Sequence, residues 1–393
     1  MRILHIQKAT GIAGSERHLL TLLPGLALRG HDVRAVVLVA GKGQDLAAEL
    51  RAAGVETEAI EAGPHFHPVI VARLLGAARR FRADVVHTHL IHADLYGQLA
   101  AWLGHVPGVS SIHGVAGPYC REPWRSAAAL GGHLAHATIA ISDYAATVVE
   151  ERRLAPRNRV TVVHYGIDLD HWHVPDGDEV SHQRVRLGVG PADVAVVVAS
   201  RLVEHKGHDF VLDGFERAAA VCPDIRLVIA GEGPLRPALE AKAAKLNSGD
   251  RISFAGFVTD VRGLLAAADV VVFPTMPAIG EGFGLVVLEA MATGRPVVAT
   301  TVASLTEIAV HGETAILVAP GDVSAMADAL VRLAGDAALR ERLGAQGRRR
   351  GVELFGADQM VERTIGVYEE VLGRKHRGAR PSLVSVLSRP RHL

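Results

Sequence analysis

The sequence predicts an α/β protein of two domains, each a parallel β-sheet with helices on both faces. Three observations predict it. Short apolar runs alternate with helical periodicities from Ile3 to Val318, and that βαβ rhythm makes the strands parallel. The chain has 393 residues, more than one ordinary core accommodates. A polar stretch with Pro175 and Gly177 breaks the rhythm near its middle. In such sheets a ligand lies beyond the carboxyl ends of the strands, so the residues that follow each strand are the functional candidates.

The first half opens on the strand Ile3–Ile6 and a glycine turn, Thr10-Gly11-Ile12-Ala13-Gly14-Ser15-Glu16. The next helix runs from about Ser15 to Leu28, with Leu19, Leu22, Leu23 and Leu26 on one face and Gly30 as its stop. Ser15 is its expected N-cap, and Pro24 its expected kink. Backbone amides such as that of Gly14 suit a phosphate at this kind of strand–turn–helix junction. A strand over 33–39, a helix over 43–53, a basic amphipathic helix over 69–81 and a strand over 84–88 follow. Short strands at 109–112, 138–141 and 160–163 complete the half. The strand ends present His87 and His89, His113-Gly114, Ser142 and His164-Tyr165-Gly166. His87 and His89 share one side of a strand and, with His92, admit a zinc reading. No fourth ligand is visible, and polar lining of a cleft is the simpler reading.

Residues near 170–190 read as a linker, and the second half begins with the strand Val194–Ala199. It ends in Ser200-Arg201-Leu202-Val203-Glu204-His205-Lys206-Gly207, before a helix from about His208 to Val221. Arg201 and Lys206 thus stand at a strand's carboxyl end, where a guanidinium fork and a mobile ammonium suit a diphosphate. The strands Ile225–Ala230, Arg251–Phe254, Asp269–Phe273, Pro296–Thr300 and Ala315–Val318 follow, with glycine turns at Gly231-Glu232-Gly233 and Gly256-Phe257-Val258. Between two of these strands lies Glu281-Gly282-Phe283-Gly284-Leu285-Val286-Val287-Leu288-Glu289-Ala290. Glu281 sits in a loop, Gly284 and Leu285 open a helix, and Glu289 lies about two turns beyond Glu281. The free amides of such a helix start, with a carboxylate at each end, suit the hydroxyls and phosphates of a nucleotide sugar. From Val323 the chain is helical and charged.

Composition narrows the classes. Hydrophobic residues make up 49% of the chain, which excludes disorder. Lys and Arg number 42 against 42 Asp and Glu, which excludes a nucleic-acid binder that relies on a general positive field. No uncharged apolar run reaches roughly eighteen residues, the length needed to span a bilayer. The chain enters a strand at once without a signal peptide, and it has two cysteines, Cys120 and Cys222. A reduced, cytoplasmic protein is expected.

The run Phe273-Pro274 … Glu281-Gly282-Phe283-Gly284-Leu285 … Glu289-Ala290-Met291-Ala292 … Gly294-Arg295-Pro296 resembles the retaining glycosyltransferases of family 4. Arg201 to Gly207 resembles the family's Arg-x-x-x-x-Lys-Gly element. Ala13 to Glu16 resembles its Gly-Gly-x-Glu loop, with Ala13 in place of the first glycine. Gly231, Gly233, Thr306-Glu307-Ile308 and Pro320-Gly321-Asp322 also match family positions, while Thr314-Ala315 departs from a commoner Thr-Gly. Asp168-x-Asp170 lies in Tyr165-Gly166-Ile167-Asp168, which is similar to a structural segment of the family, and reads as structural. The resemblance implies the GT-B fold, two Rossmann-like domains with parallel sheets facing a central cleft. The expected division is an acceptor-side domain over 1–170, a linker over 171–190 and a donor-binding domain over 191–355. A final helix over 356–372 crosses back to the first domain, and a basic tail spans 373–393.

The resemblance implies transfer of a sugar from a nucleotide-diphosphate sugar, with UDP as the expected carrier, to a glycan, lipid-linked or small-molecule acceptor. It places Arg201, Lys206, Glu281 and His113 at the reaction. It assigns the donor to Gly14, Gly231, Gly233, Phe257, Val258, Phe283, Gly284, Leu285 and Glu289. With cations doing the charge work, no divalent metal and no cofactor is expected. The basic tail and the helix carrying Arg73, Arg79, Arg80 and Arg82 suggest peripheral contact with an anionic membrane. The rival readings are a nucleotide-sugar 2-epimerase, a phosphorylase with a pyridoxal-bearing lysine, and a non-catalytic nucleotide-sugar-binding subunit.

Overall fold

The structure is a computed structural model that describes residues 1–63, 66–114, 117–277, 281–302 and 304–376. The chain divides into two compact units. One comprises Met1–Gly166 and the chain from Ala357 onward, and the other Ile167–Gly356.

The first unit holds a seven-stranded parallel sheet of β1 (Arg2–Ala9), β2 (Asp32–Val39), β3 (Glu56–Glu61), β4 (Val85–His89), β5 (Gly108–Ile112), β6 (Ala137–Ala140) and β7 (Val160–Val162), in the order β3-β2-β1-β4-β5-β6-β7. Alternation along the strands divides the core between two faces. Ile3, Val33, Val37, Val85 and Val109 point to one face, where Leu19, Leu22, Leu23 and Leu26 of the helix Gly14–Leu28 cover them. The last helix, Ala357–His376, adds Val361, Val367, Tyr368 and Val371 to that same core. Leu4, Ile6, Val36 and Val86 point the other way, under the helices Pro68–Phe81 and Ile91–Gly104. Each buried Leu, Ile or Val is worth about 1.5–3 kcal/mol.

The second unit repeats the plan with β8 (Val194–Ala199), β9 (Ile225–Ala230), β10 (Ile252–Gly256), β11 (Val270–Phe273), β12 (Val297–Thr300) and β13 (Ala315–Val318), all parallel, in the order β10-β9-β8-β11-β12-β13. Val196, Val198, Leu227, Ile229, Val270 and Val272 share a core with Phe210, Phe215, Met326 and Leu330 of the helices His208–Ala219 and Val323–Gly335. In each sheet the strand order reverses once, between β1 and β4 and between β8 and β11. The crevices at these two points are where α/β sheets accept ligands.

Several expectations give way. The first helix starts at Gly14 with Ala13 as its N-cap, so Ser15 is not the cap. The Glu16 carboxylate reaches back to accept the Ala13 N–H at 3.0 Å and supplies the missing capping bond. The helix continues through Pro24 to Leu28. The stretch read as a linker forms a helix, Gly177–Arg186, whose Asp176 cap accepts the Glu179 N–H at 2.8 Å. Arg184 fastens it to the second unit, donating to Asp269 at 2.8 Å and to the Gly190 carbonyl at 2.8 Å. None of its side chains is buried, so it carries no apolar stripe that a periodicity search would register. β3 has the acidic sequence ETEAIE and sits at a sheet edge, which is why alternation did not reveal it. The last helix runs on past Leu372 to His376, and the rest of the basic tail, 377–393, lies outside the described residues.

Candidate active site

The second unit's candidate site grows from the carboxyl ends of β8 and β11. β8 delivers Ser200 and Arg201, and a short 3-10 turn, Glu204–Lys206, carries Lys206. Gly207 ends that turn at φ +67°. A Cβ there would lie 2.1 Å from the Pro274 carbonyl, so only glycine lets the loop after β8 abut the loop after β11. The Met276 N–H donates to the His205 carbonyl at 2.8 Å and fastens the two loops together.

Lys206 is thereby brought against Glu281, with which it forms an ion pair in a mostly buried setting. The ammonium also stands 4.9 Å from the centre of the Phe273 ring, within cation–π range. Ser304 donates to the Glu281 carbonyl at 3.1 Å, which fixes the loop. Phe283 is 2% exposed and packs edge-to-face on Phe355 at 5.8 Å. Its side chain anchors the loop in the core, and only its backbone is left to meet a ligand. Gly284 is the N-cap of the helix Leu285–Ala292 at φ +91°, and Glu289 is buried on that helix. Arg201 is exposed. Burial first, then the positive charges of Lys206 and Arg201, lower the pKa of the neighbouring His205.

Gly231 and Gly233 serve the fold itself. A Cβ at Gly231 would lie 2.0 Å from the Ser200 carbonyl oxygen, and one at Gly233 2.3 Å from that of Leu202. The loop after β9 therefore lies directly on the segment that carries Arg201. Phe257 is exposed, and with Val258 it lines a cavity of about 420 Å³ shared with Gln183, Arg186 and Leu187.

In the first unit, Gly14 is the first residue of its helix, and Ala13 is extended (φ −133°, ψ −157°), a conformation any residue adopts. Alanine in place of the family's glycine therefore introduces no strain. Glu16 organises this loop, accepting from Ala13 at 3.0 Å, from Ser15 at 3.0 Å and from Gln7 at 2.7 Å.

Beside it lies a cluster of five histidines. The β1–β4 register sets His5 opposite His87. His87 and His89 share a face with Ser111 of β5, and His113 follows that strand. His5 Nδ1 lies 3.0 Å from His89 Nε2, and His89 Nδ1 lies 2.8 Å from His113 Nε2. His113 Nδ1 lies 2.6 Å from the Tyr165 hydroxyl. His87 is held by Tyr368 at 2.6 Å and Ser111 at 2.8 Å, and His18 stacks on Tyr165 with ring centres 4.5 Å apart. Burial is the main cause that pushes every one of these histidines down, His5 and His18 to about 3 and His87, His89 and His113 well below the usual value, so all five are neutral.

His5, His87 and His89, and likewise His18, His89 and His113, bring their ring nitrogens within 4.8 Å of one another. Both nitrogens of His87 and of His89 are already engaged, so either triad would have to break these bonds to offer lone pairs to a metal. His92 stands apart, packed on Trp124 at 4.4 Å. Ser142 caps the helix Asp143–Glu151, accepting the Ala145 N–H at 3.0 Å. Asp168 accepts the backbone N–H of Asp170 at 3.0 Å, the structural turn expected of that segment.

The two halves of the chain match two family models, Glycosyltransferase Family 4 over residues 12–171 and Glycosyl transferases group 1 over residues 193–336. A D-inositol 3-phosphate glycosyltransferase of Xylanimonas cellulosilytica is 30% identical, over 94% of this chain and 94% of that protein. This chain belongs to glycosyltransferase family 4. An uncharacterized glycosyltransferase of Methanocaldococcus jannaschii, MJ1607, is 26% identical over 92% of this chain and 96% of its own length. Among solved structures, Anabaena Alr3699/HepE in complex with UDP and glucose is similar at a TM-score of 0.81 and 21% identity, over 93% of this chain and 99% of that one. The fold of this glycosyltransferase is accordingly GT-B, with a seven- and a six-stranded parallel sheet.

Sequence reasoning named Arg201, Lys206 and Glu281 by motif and the His87–His89 pair by alternation; the structure sets Lys206 against Glu281 and leaves Arg201 exposed. That reasoning missed His5 and His18 as members of the cluster. The signal for His5 was present, a polar residue flanked by Leu4 and Ile6 in a buried strand. The signal for His18 was a buried histidine beside the leucine face of the first helix.

Proposed function

We propose that this glycosyltransferase moves a sugar from a nucleotide diphosphate, with UDP as the carrier, to an acceptor hydroxyl with retention of configuration and without a divalent metal. The observation that carries this reading is the Lys206–Glu281 pair beside Arg201, at the switch point of the second sheet. A cation held in a mostly buried site stabilises charge growing on a leaving diphosphate far better than one in water. Arg201 and Lys206 take that leaving group. When the phosphates draw Lys206 toward them, Glu281 is released to accept from the sugar hydroxyls. Glu289 accepts from the ribose, and the amides of Phe283, Gly284 and Leu285 cradle the phosphates. Phe257 and Val258 border the base, and Gly14 and His113 serve the acceptor-side unit, where His113 meets a sugar oxygen. HepE, similar in fold, is known in complex with UDP and with glucose, which supports this class of donor.

The two hydroxyls beside Glu281 among the described residues, Thr275 and Ser304, are already engaged as donors to it, at 3.5 and 3.1 Å, and the reading that fits best is a front-face displacement. In it the bond from the anomeric carbon to the diphosphate breaks, the acceptor oxygen attacks from the same side, and its proton passes to the departing phosphate. Polysaccharide or lipid-linked glycan assembly is the expected setting. The peripheral membrane contact has lost part of its support, since Arg73 and Arg80 both pair with Glu58, at 3.3 and 3.7 Å.

The test is thermal-shift binding of nucleoside diphosphates and their sugars, with and without chelator, followed by transfer assays. A donor at a hundredfold excess over its Kd adds about 2.7 kcal/mol of stability. A shift with one base that survives chelator and vanishes in Arg201→Ala supports the reading, and no shift with any donor rejects it.

A further inference from the structure

The histidine cluster has a direction. A neutral imidazole carries one N–H and one lone pair, so a chain of imidazoles bonded ring to ring must point its protons one way. The chain here runs from His5 through His89 and His113 to Tyr165, by contacts of 3.0, 2.8 and 2.6 Å. In one sense each ring donates through Nδ1–H, and the Tyr165 oxygen receives the last proton. In the other, Tyr165 donates to His113, the rings donate through Nε2–H, and His5 is left with its own proton on Nε2. His5 is fully buried, and its Nε2 has no hydrogen-bond partner among the described residues. A buried N–H without an acceptor forfeits its hydration entirely, and such orphaned donors are rarer than orphaned acceptors. The first sense leaves only a lone pair unmatched.

We propose that His5 and His89 are positioning residues that lock His113 as its Nδ1–H tautomer, so that this ring meets oxygen only as a donor, the Tyr165 hydroxyl in this structure and a sugar oxygen during transfer. The inference rests on the functional reading for the sugar, and on the hydrogen-bond chain alone for the tautomer. Free histidine prefers the opposite, Nε2–H form, so an Nδ1–H ring at all three positions is a departure that the chain imposes on them together. The relay also makes the site selective. A ligand must offer an acceptor oxygen at His113, and an N–H or a methylene at that point is rejected.

The neighbours leave the direction intact. Glu16, the carboxylate of the first helix beside the cluster, is committed to Ala13, Ser15 and Gln7. His18 meets the chain through ring faces and edges, and Tyr368 is bonded to His87, outside it.

Long-range ¹H–¹⁵N correlation on the full chain, labelled at histidine, reads each tautomer without reference to activity. His5, His89 and His113 are expected as Nδ1–H at neutral pH. His5→Asp sets a carboxylate acceptor where Nδ1 stood, so the chain reverses, His113 turns to its Nε2–H form and kcat/KM falls about tenfold, the worth of one neutral hydrogen bond. His5→Asn keeps a donor where Nδ1 stood, and restores both the tautomer and the rate. An Nε2–H ring at His89 or His113 in the unsubstituted protein, or stoichiometric zinc displacing these protons, overturns the proposal. So does His5→Asp with tautomers unchanged. Three Nδ1–H rings in a protein that transfers no sugar would sink the functional reading and leave the relay standing.

Discussion

Lys206 and Glu281 show how much a single contact decides. The pair is mostly buried, so removing one partner leaves the other charged and poorly solvated. Lys206→Met is expected to lower kcat by roughly two to three orders of magnitude, as loss of a charge-stabilising donor does, and to raise KM less, measured in steady-state transfer assays. Glu281→Gln removes the charge and keeps the shape. Its expected signature is a loss of discrimination between epimeric donor sugars, with binding of the bare nucleoside diphosphate nearly intact by calorimetry. At Ala13 the structure argues against the obvious repair. Its backbone is extended, so Ala13→Gly gains no reach, and it enlarges the entropy of the unfolded chain. Donor affinity should stay unchanged in that variant, and stability should move by less than about 0.5 kcal/mol in urea titrations, because glycine is the better N-cap and offsets the added chain entropy.

The elements that hold these residues are mostly legible in the sequence, and the exceptions have physical reasons. Val194–Ala199 and Val270–Phe273 are apolar along their whole length because helices cover both faces of a parallel sheet, and both were readable as buried strands. The Gly177–Arg186 helix and β3 were not readable, since one buries no side chain and the other is an acidic edge. The Arg201–Gly207 loop was legible as a motif, but the reason for its glycine was not. Gly207 answers to a carbonyl of Pro274, a contact across 67 residues that no local pattern carries. Gly207→Ala therefore sets a Cβ against backbone in a left-handed conformation, with an expected loss of about 1–3 kcal/mol and a Lys206 displaced from Glu281. Denaturant unfolding together with donor titration would check both parts of that expectation.

At the scale of the molecule, the five neutral histidines link stability to acidity. Their folded pKa values lie below the unfolded value of 6.5, about 3 for His5 and His18. Below pH 6.5 the unfolded chain takes up protons that the folded cluster refuses, so stability is full above that pH and falls as pH drops through it. Each such histidine contributes up to about 1.4 kcal/mol per pH unit once the unfolded form is protonated. Unfolding free energy measured between pH 7 and 5 should drop steeply, and His5→Asn should lower that slope by the share of one proton. Asp94 works the other way over the same window, because burial raises its carboxyl to about 7 and the folded state takes up that proton first, offsetting about one histidine's share. The histidine cluster as a whole was only half legible, because His5, His18, His89 and His113 come from separate elements that the sheet and its covering helix bring together.

Tyr368 has one more implication. It lies near the end of the described chain and is fully buried against the oldest part of the sequence, bonded to His87 and sharing a core with Leu19, Leu22 and Val361. A ribosome that has released residues 1–166 has therefore released an unfinished core, whose closing piece appears only after another whole sheet has been made. The nascent N-terminal unit must wait with the part of this core that Val361, Val367, Tyr368 and Val371 fill left open. A fragment ending at Gly166 should aggregate on expression, while the same fragment supplied with residues 357–376 as a separate peptide should be rescued.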